Sequence, residues 1–144
     1  MQSPPTTSAR CYCSAVRIQF NAAPKSVIHC HCGQCRRLSG SAFTTWVSFS
    51  RQAMELVGEA SLSEFRATSN VLRRFCSHCG SHIYTTDSRA TEIVGVPSGV
   101  IVGELPPPKA HYFVHHKAAW HAIGDALRQF GGETGFEPIP SAGP

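Results

Sequence analysis

The sequence has no long apolar run, and no stretch approaches the roughly 20 residues that a helix needs to cross a bilayer. Its opening segment, MQSPPTTSAR, lacks the apolar stretch of a signal peptide. Charged residues make up only 15% of the chain, and the 13 Lys and Arg that exceed the 9 Asp and Glu form no basic tail or stripe. We therefore expect a cytoplasmic protein that binds neither membrane nor nucleic acid.

Helical periodicity is also scarce, and the chain shows no internal repeat. Single helical turns are predicted only at residues 34–38 and 125–130. Period-two alternation and short segments bounded by Gly, Ser, Asn or Pro instead predict strands. The predicted strands are residues 16–20, 43–49, 54–57, 62–65, 71–75, 83–85 and 92–96. The fold class expected from this pattern is mainly β, built from short antiparallel strands.

The length and composition suit one folded domain with loose ends. With 144 residues and 42% hydrophobic residues, the chain can bury a single core. Pro, Ser and Thr dominate the first ten residues, and Gly and Pro dominate the last fourteen. We expect a flexible N-terminus at residues 1–10, a folded domain at 11–131 and a flexible tail at 132–144. The proline run at residues 106–108 is expected to be a stiff connector.

The cysteines are the residues that point most clearly to a chemical function. All seven cysteines fall in three tight clusters: Cys11-x-Cys13, Cys30-x-Cys32-x2-Cys35 and Cys76-x2-Cys79. An odd number would leave one thiol without a disulfide partner, whereas closely spaced thiolates are typical zinc ligands. The spacing therefore favours metal binding over disulfides.

The spacing alone leaves two ways to share the cysteines between ions. In the economical one, the first and third clusters close a four-sulfur site and the middle cluster forms a three-sulfur site with an open position. In the other, Cys11 and Cys13 bind one ion together with two cysteines of the middle cluster. Cys76 and Cys79 then bind a second ion with the help of His78 or His82.

Several motifs in order carry a resemblance to a known family. They are Cys11-x-Cys13-x2-Val16, His31-Cys32-x2-Cys35-Arg36 with Gly40 and Phe43, Arg74-x-Cys76-x2-Cys79-Gly80-Ser81, and Ala119-Trp120 with Asp125 and Phe130. Across about residues 10–131 the chain closely resembles the glutathione-dependent formaldehyde-activating enzyme and centromere protein V family. The resemblance implies a small zinc-binding domain of the Mss4-like fold and a carbon-sulfur lyase activity.

The resemblance also implies two zinc ions per chain and the economical partition. The implied structural zinc is held by Cys11, Cys13, Cys76 and Cys79. The implied functional zinc, which forms the catalytic site, is held by Cys30, Cys32 and Cys35.

The ligand set of the middle cluster restricts its chemistry. Three thiolates leave a divalent zinc with net negative charge, which weakens it as a Lewis acid and disfavours water activation. A substrate thiol could instead complete the shell, be held as thiolate and attack an aldehyde carbon. We therefore expect an enzyme that acts on a small, glutathione-like thiol and an aldehyde. The alternatives are a non-catalytic thiol carrier or interaction module, and a zinc-ribbon-like nucleic-acid binder.

Residues around the middle cluster have expected supporting roles. If the segment is extended, His29 and His31 point away from the sulfur of Cys30, which favours support of the ligands over direct ligation. Arg36 and Arg37 could bind a carboxylate of a thiol peptide, although a solvated arginine is the simpler interpretation.

Two further features are expected not to be functional. Phe43 and Trp46 lie in an alternating strand and are predicted to be core residues. A histidine-rich stretch near Trp120 suggests a third metal site, but its only nearby acid is Asp125, so we do not expect one. The histidines of this stretch are His111, His115, His116 and His121.

Overall fold

A computed structural model describes residues 6–140 of the protein, and the fold of these residues is mainly β. In chain order the strands are β1 (Thr7–Arg10), β2 (Arg17–Phe20), β3 (Ser26–Cys30), β4 (Thr44–Ser50), β5 (Met54–Val57), β6 (Leu62–Arg66), β7 (Val71–Cys76), β8 (His82–Asp87), β9 (Ile93–Pro97), β10 (Ile101–Val102), β11 (Ala110–Tyr112), β12 (Arg128–Gly131) and β13 (Glu137–Pro138). The seven predicted strands are all present, with ends displaced by no more than two residues. The predicted fold class is confirmed.

Helical structure in the described residues is short. The α-helix α1 (Gly33–Ser39) confirms the predicted turn at 34–38, and it ends where Gly40 adopts φ +69° and donates its N–H to the Arg36 carbonyl. Four 3-10 turns complete the set: Arg51–Ala53, Glu59–Ser61, Ser98–Val100 and Val114–His116. Among residues 6–140, none of the helices has the length and apolar character needed to cross a membrane.

The described chain divides into two compact units, and β4 runs from the second into the first. The first unit comprises residues 6–26 and 47–106. It contains the antiparallel sheet β10-β1-β2-β5 and the antiparallel series of β6, β7, β8 and β9. Residues 7–10 were expected to be flexible, but they form β1 because β2 and β10 hydrogen-bond to its two sides and Ala9 is buried.

The core of the first unit follows from alternation along β2 and the later half of β4. Ile18 and Phe20 point inward from β2, while Val47 and Phe49 are fully buried on β4. The rings of Phe20 and Phe49 stack with centroids 3.8 Å apart. Burying aromatic rings contributes strongly to stability. This pair therefore stabilises the unit that also contains Cys11, Cys13, Cys76 and Cys79.

The second unit comprises residues 27–46 and 107–140 and departs from a purely antiparallel arrangement. Its β11 pairs in parallel with both β3 and β12. Parallel neighbours need a long connection, and the chain between β3 and β11 supplies one. The register places His111 opposite His29 and Tyr112 opposite Cys30, so this pairing brings distant residues beside the middle cysteine cluster.

The C-terminal part of the second unit corrects two expectations. The helical turn predicted at 125–130 is wrong: residues 128–131 form β12, on which Phe130 stacks against Tyr112 with ring centroids 4.8 Å apart. Part of the tail expected to be flexible forms β13, which pairs antiparallel with β12. Residues 1–5 and 141–144, which belong to the two ends predicted to be flexible, lie outside the described residues.

Candidate metal centres

The first unit gathers four cysteines into one cluster, which we call the four-cysteine cluster. Its members are Cys11, Cys13, Cys76 and Cys79, whose sulfurs all lie within 4.8 Å of one another. The Sγ atoms of Cys11 and Cys13 are 3.6 Å apart, and those of Cys13 and Cys76 are 3.7 Å apart. Sulfurs about 2.3 Å from a tetrahedral zinc lie about 3.8 Å apart, so the spacing fits a metal and is far too long for a disulfide.

Backbone turns hold these sulfurs in place. The N–H of Val16 donates to the Cys11 sulfur at 3.3 Å, and Gly80, at φ +80°, donates its N–H to the Cys76 carbonyl at 2.8 Å. Ser81 bonds both sides of the cluster, because its hydroxyl accepts from the Tyr12 N–H at 3.0 Å and lies 3.2 Å from the Cys79 sulfur. The Ser81 contacts lower the pKa of Cys79 to about 5, which favours the thiolate that a metal requires.

The second unit holds the other three cysteines, which we call the three-cysteine cluster. Cys30 ends β3, Cys32 caps the N-terminus of α1, and Cys35 lies in the first turn of that helix. Their sulfurs also lie within 4.8 Å of one another. Within residues 6–140 no fourth His, Cys, Asp or Glu joins this group. The economical grouping of the cysteines is therefore the one found, and both clusters can hold a metal ion.

Hydrogen bonds among the sulfurs of the three-cysteine cluster shift the pKa values of its thiols in opposite directions. The backbone N–H of Cys35 donates to the Cys32 sulfur at 3.3 Å, and the indole N–H of Trp46 donates to the Cys35 sulfur at 3.3 Å. Bonds from the Cys30 and Cys35 thiols lower the pKa of Cys32 to about 2, and the same contacts raise the pKa of Cys30. One thiolate is thus stabilised by its neighbours even before an ion binds.

Trp46 contacts the three-cysteine cluster, which its position in an alternating strand did not predict. The alternating strand predicted a core residue, yet Trp46 is only partly buried and its N–H contacts a cluster sulfur. One general rule could have indicated this hydrogen bond from the sequence: a buried or partly buried indole N–H usually has an acceptor. The sulfurs of the nearby cysteines are candidate acceptors for Trp46. Phe43 packs its ring against His29, with centroids 4.6 Å apart.

Arg36 and Arg37, the two candidates for binding a carboxylate, have different environments. Arg36 donates to the backbone carbonyl of His116 at 2.9 Å, whereas Arg37 is exposed to solvent. Thus Arg36 already ties α1 to the segment that follows β11, and Arg37 matches the solvated interpretation.

A third group of ligand-type side chains, the histidine–aspartate cluster, lies in the second unit. It consists of His29, His111 and Asp125, with one ligand atom of each within 4.8 Å of the others. His111 Nε2 lies 2.9 Å from an oxygen of Asp125, and His111 Nδ1 lies 2.8 Å from Nε2 of His31. Burial and the neighbouring His111 lower the pKa of His31 to about 4. The sequence pattern did not predict a metal site at these residues.

The fold and the clusters define a small, mainly β protein with one closed set of four thiols and one open set of three. The model of the glutathione-dependent formaldehyde-activating enzyme family matches residues 6–116. Because the match covers more than half of the chain, the protein belongs to this family, as the motifs predicted.

The chain is also similar to two individual proteins. A protein of Halomonas elongata, provisionally named a glutathione-dependent formaldehyde-activating enzyme, is 29% identical over 122 residues, with 78% of each chain covered. The crystal structure of a Rhodobacter sphaeroides protein aligns with a TM-score of 0.57 and 21% identity, covering 69% of this chain and 91% of the other. The structural likeness concerns the fold alone.

Proposed function

We propose that the protein is a zinc-dependent carbon-sulfur lyase that joins a small, glutathione-like thiol to formaldehyde and cleaves the same adduct. The single observation that carries the proposal is the open set of three sulfurs in a chain of this family. In the forward direction the thiolate sulfur attacks the aldehyde carbon and a C–S bond forms. The carbonyl electron pair moves to oxygen, which takes up the proton released by the thiol.

Zinc at the three-cysteine cluster would supply a position for the substrate thiol and keep it as thiolate at neutral pH. The sulfurs of Cys30, Cys32 and Cys35 would hold this zinc and leave one ligand position to the substrate thiol. Because thiolate ligands reduce the Lewis acidity of zinc, the bound sulfur rather than a bound water is the expected nucleophile.

The protein's own groups position this ligand set. The Trp46 indole N–H withdraws charge from the Cys35 sulfur, and the N–H of Cys35 does the same for Cys32. Thr44 donates its hydroxyl to the Cys35 carbonyl at 3.1 Å, which holds the first turn of α1 in place. These bonds fix two of the three sulfurs before substrate arrives, so little reorganisation is needed to bind it.

The four-cysteine cluster is proposed to hold a structural zinc. Its members come from two segments of the first unit, the loop after β1 and the end of β7 with its following turn. A metal that joins these segments adds its binding free energy to folding. A complete shell of four thiolates leaves no position for substrate.

The test compares Cys35→Ser with wild type in the zinc-loaded protein. The rate of S-hydroxymethyl adduct formation and cleavage is measured by exchange NMR with glutathione and formaldehyde. We expect acceleration by wild type, its loss in Cys35→Ser and retention in the matched exposed variant Ser41→Ala. We expect Cys35→Ser to keep its fold and one zinc ion, and circular dichroism and zinc content measure both.

Three results would overturn the proposal. Undiminished activity in Cys35→Ser would remove the three-cysteine cluster from the reaction. Unfolding of Cys35→Ser would make its metal structural. Thiol binding by wild type without acceleration would make the protein a thiol carrier instead of a lyase.

A further inference from the structure

The histidine–aspartate cluster is built by pairing between distant segments. His29 lies on β3 and His111 lies opposite it on β11, while Asp125 follows in the loop before β12. His111 is 2% exposed, and the Asp125 side chain is 44% exposed. A nearly buried imidazole therefore faces a carboxylate that solvent and ions can reach.

We propose that His29, His111 and Asp125 form a third metal site, which binds a divalent transition-metal ion through two imidazole nitrogens and one carboxylate. This site goes beyond the proposed function, because none of the seven cysteines belongs to it. Imidazole and carboxylate ligands suit zinc and related divalent transition-metal ions, and an ion held by them has no thiolate ligand.

The distances fit a shared ion. Ligand atoms bound about 2.1 Å from one ion lie about 3 to 3.5 Å apart. His111 Nε2 is 2.9 Å and 3.1 Å from the two oxygens of Asp125, and the His29 ligand atom lies within 4.8 Å of both residues. Small rotations of the His29 and Asp125 side chains would close the remaining gap.

The second nitrogen of each histidine is already held. Nδ1 of His29 lies 2.8 Å from the hydroxyl of Thr45, and Nδ1 of His111 lies 2.8 Å from Nε2 of His31. These bonds leave Nε2 of both His29 and His111 for an ion. Metal-binding histidines almost always have their other nitrogen hydrogen-bonded in this way, because the bond fixes tautomer and ring orientation.

The site also has support for the carboxylate and room for a further ligand. The backbone N–H of Leu127 donates to Asp125 Oδ1 at 3.0 Å and orients it. Asp125 also lines an open cavity of about 650 Å³ in the second unit. Three protein ligands do not fill the coordination shell of a divalent ion, so at least one position stays open to water or a small anionic molecule on the side where Asp125 lines the cavity.

Calorimetric titration tests the proposal without reference to enzymatic activity. Protein carrying two zinc ions per chain is titrated with further zinc, and one additional equivalent is expected. His29→Ala and Asp125→Asn should each weaken this equivalent at least about tenfold, since each removes one of three ligands. His116→Ala, which removes an exposed histidine outside the cluster, should leave it unchanged.

Zinc content and circular dichroism verify that each variant keeps two cysteine-bound ions and its fold. If a variant fails to fold, the absorption spectrum of the wild-type protein provides the test. One equivalent of cobalt added to the two-zinc protein should give visible bands without sulfur-to-cobalt charge transfer. A wild-type protein that saturates at two ions would overturn the proposal. So would a third equivalent that persists unweakened in both variants, or one with a sulfur charge-transfer band.

Discussion

The indole Nε1 of Trp46 donates a hydrogen bond of 3.3 Å to the Sγ of Cys35. A donor aimed at a metal-binding sulfur lowers the charge on that sulfur and tunes the ion it holds. This contact couples strand β4 to the three-cysteine cluster within the second unit.

Replacing Trp46 by Phe should weaken metal binding selectively. The ring volume is largely kept while the N–H is lost, so zinc affinity at the three-cysteine cluster should fall about tenfold or more. Competition with a chromophoric chelator measures both sites in one protein, and the four-cysteine cluster is the internal control. Equal affinities of variant and wild type would contradict a role for the indole bond.

Replacing Cys76 by Ser should prevent folding of the first unit. Cys76 is fully buried, and a structural zinc contributes free energy comparable to the whole stability of a small domain. We expect the cooperative thermal transition to disappear. The adjacent exposed Ser77→Ala should shift the midpoint by only a few degrees, as expected for loss of one hydrogen bond. A cooperative Cys76→Ser protein with near-wild-type stability would show that the four-cysteine cluster is dispensable.

Gly58→Ala should destabilise the protein by about 2 kcal/mol or more. Gly58 has φ +89°, and a Cβ there would overlap the carbonyl oxygen of Ala15, which lies in the loop that carries Cys11 and Cys13. Gly99→Ala is the matched control, because nothing lies within 4 Å of its Cβ position, and its effect should stay within about 0.5 kcal/mol. Urea denaturation measures both, and similar losses would refute the steric argument.

The stability of the protein should depend on His82 below neutral pH. Burial, with the charge of Arg73, lowers the pKa of His82 from 6.5 to about 4. Above pH 6.5 the histidine is neutral in both folded and unfolded chains. Between these values only the unfolded chain binds the proton, so stability falls as pH falls. Each pH unit is worth about 1.4 kcal/mol, which makes the full loss about 3 kcal/mol.

The measurement compares urea denaturation of wild type and His82→Gln from pH 7 to 4.5. Comparing the two proteins in the same buffers removes the contribution of metal release from cysteine, which both share. The variant should lose less stability over this range. Parallel curves would mean that His82 is not buried as a neutral imidazole.

The sequence predicted those features that depend on local patterns. Alternation along β2 and the spacing of Cys76 and Cys79 each involve residues a few positions apart, so strands and clusters of cysteines able to hold a metal ion could be identified. Very short strands such as β10 and β13 carry too few residues for a period to show. The end segments at β1 and β12 become strands only through their partners, which composition does not reveal.

The histidine–aspartate cluster could not be predicted from the sequence, because its residues are far apart along the chain. His29 and His111 are brought together by a parallel register, and no spacing rule relates them. The strand predicted at 43–49 showed that Trp46 would sit near the core, but not that its N–H would face Cys35. Both features depend on the pairing of distant segments.

The most direct test of the central claim is the absorption of the cobalt-substituted protein during titration with glutathione. The open three-cysteine cluster should accept one thiol per chain, with a saturable shift of the sulfur-to-cobalt charge-transfer band. The shift should be lost in Cys35→Ser and retained in Asp125→Asn, which separates this cluster from the histidine–aspartate cluster. An unchanged wild-type spectrum at saturating glutathione would contradict the claim that this site receives the substrate thiol.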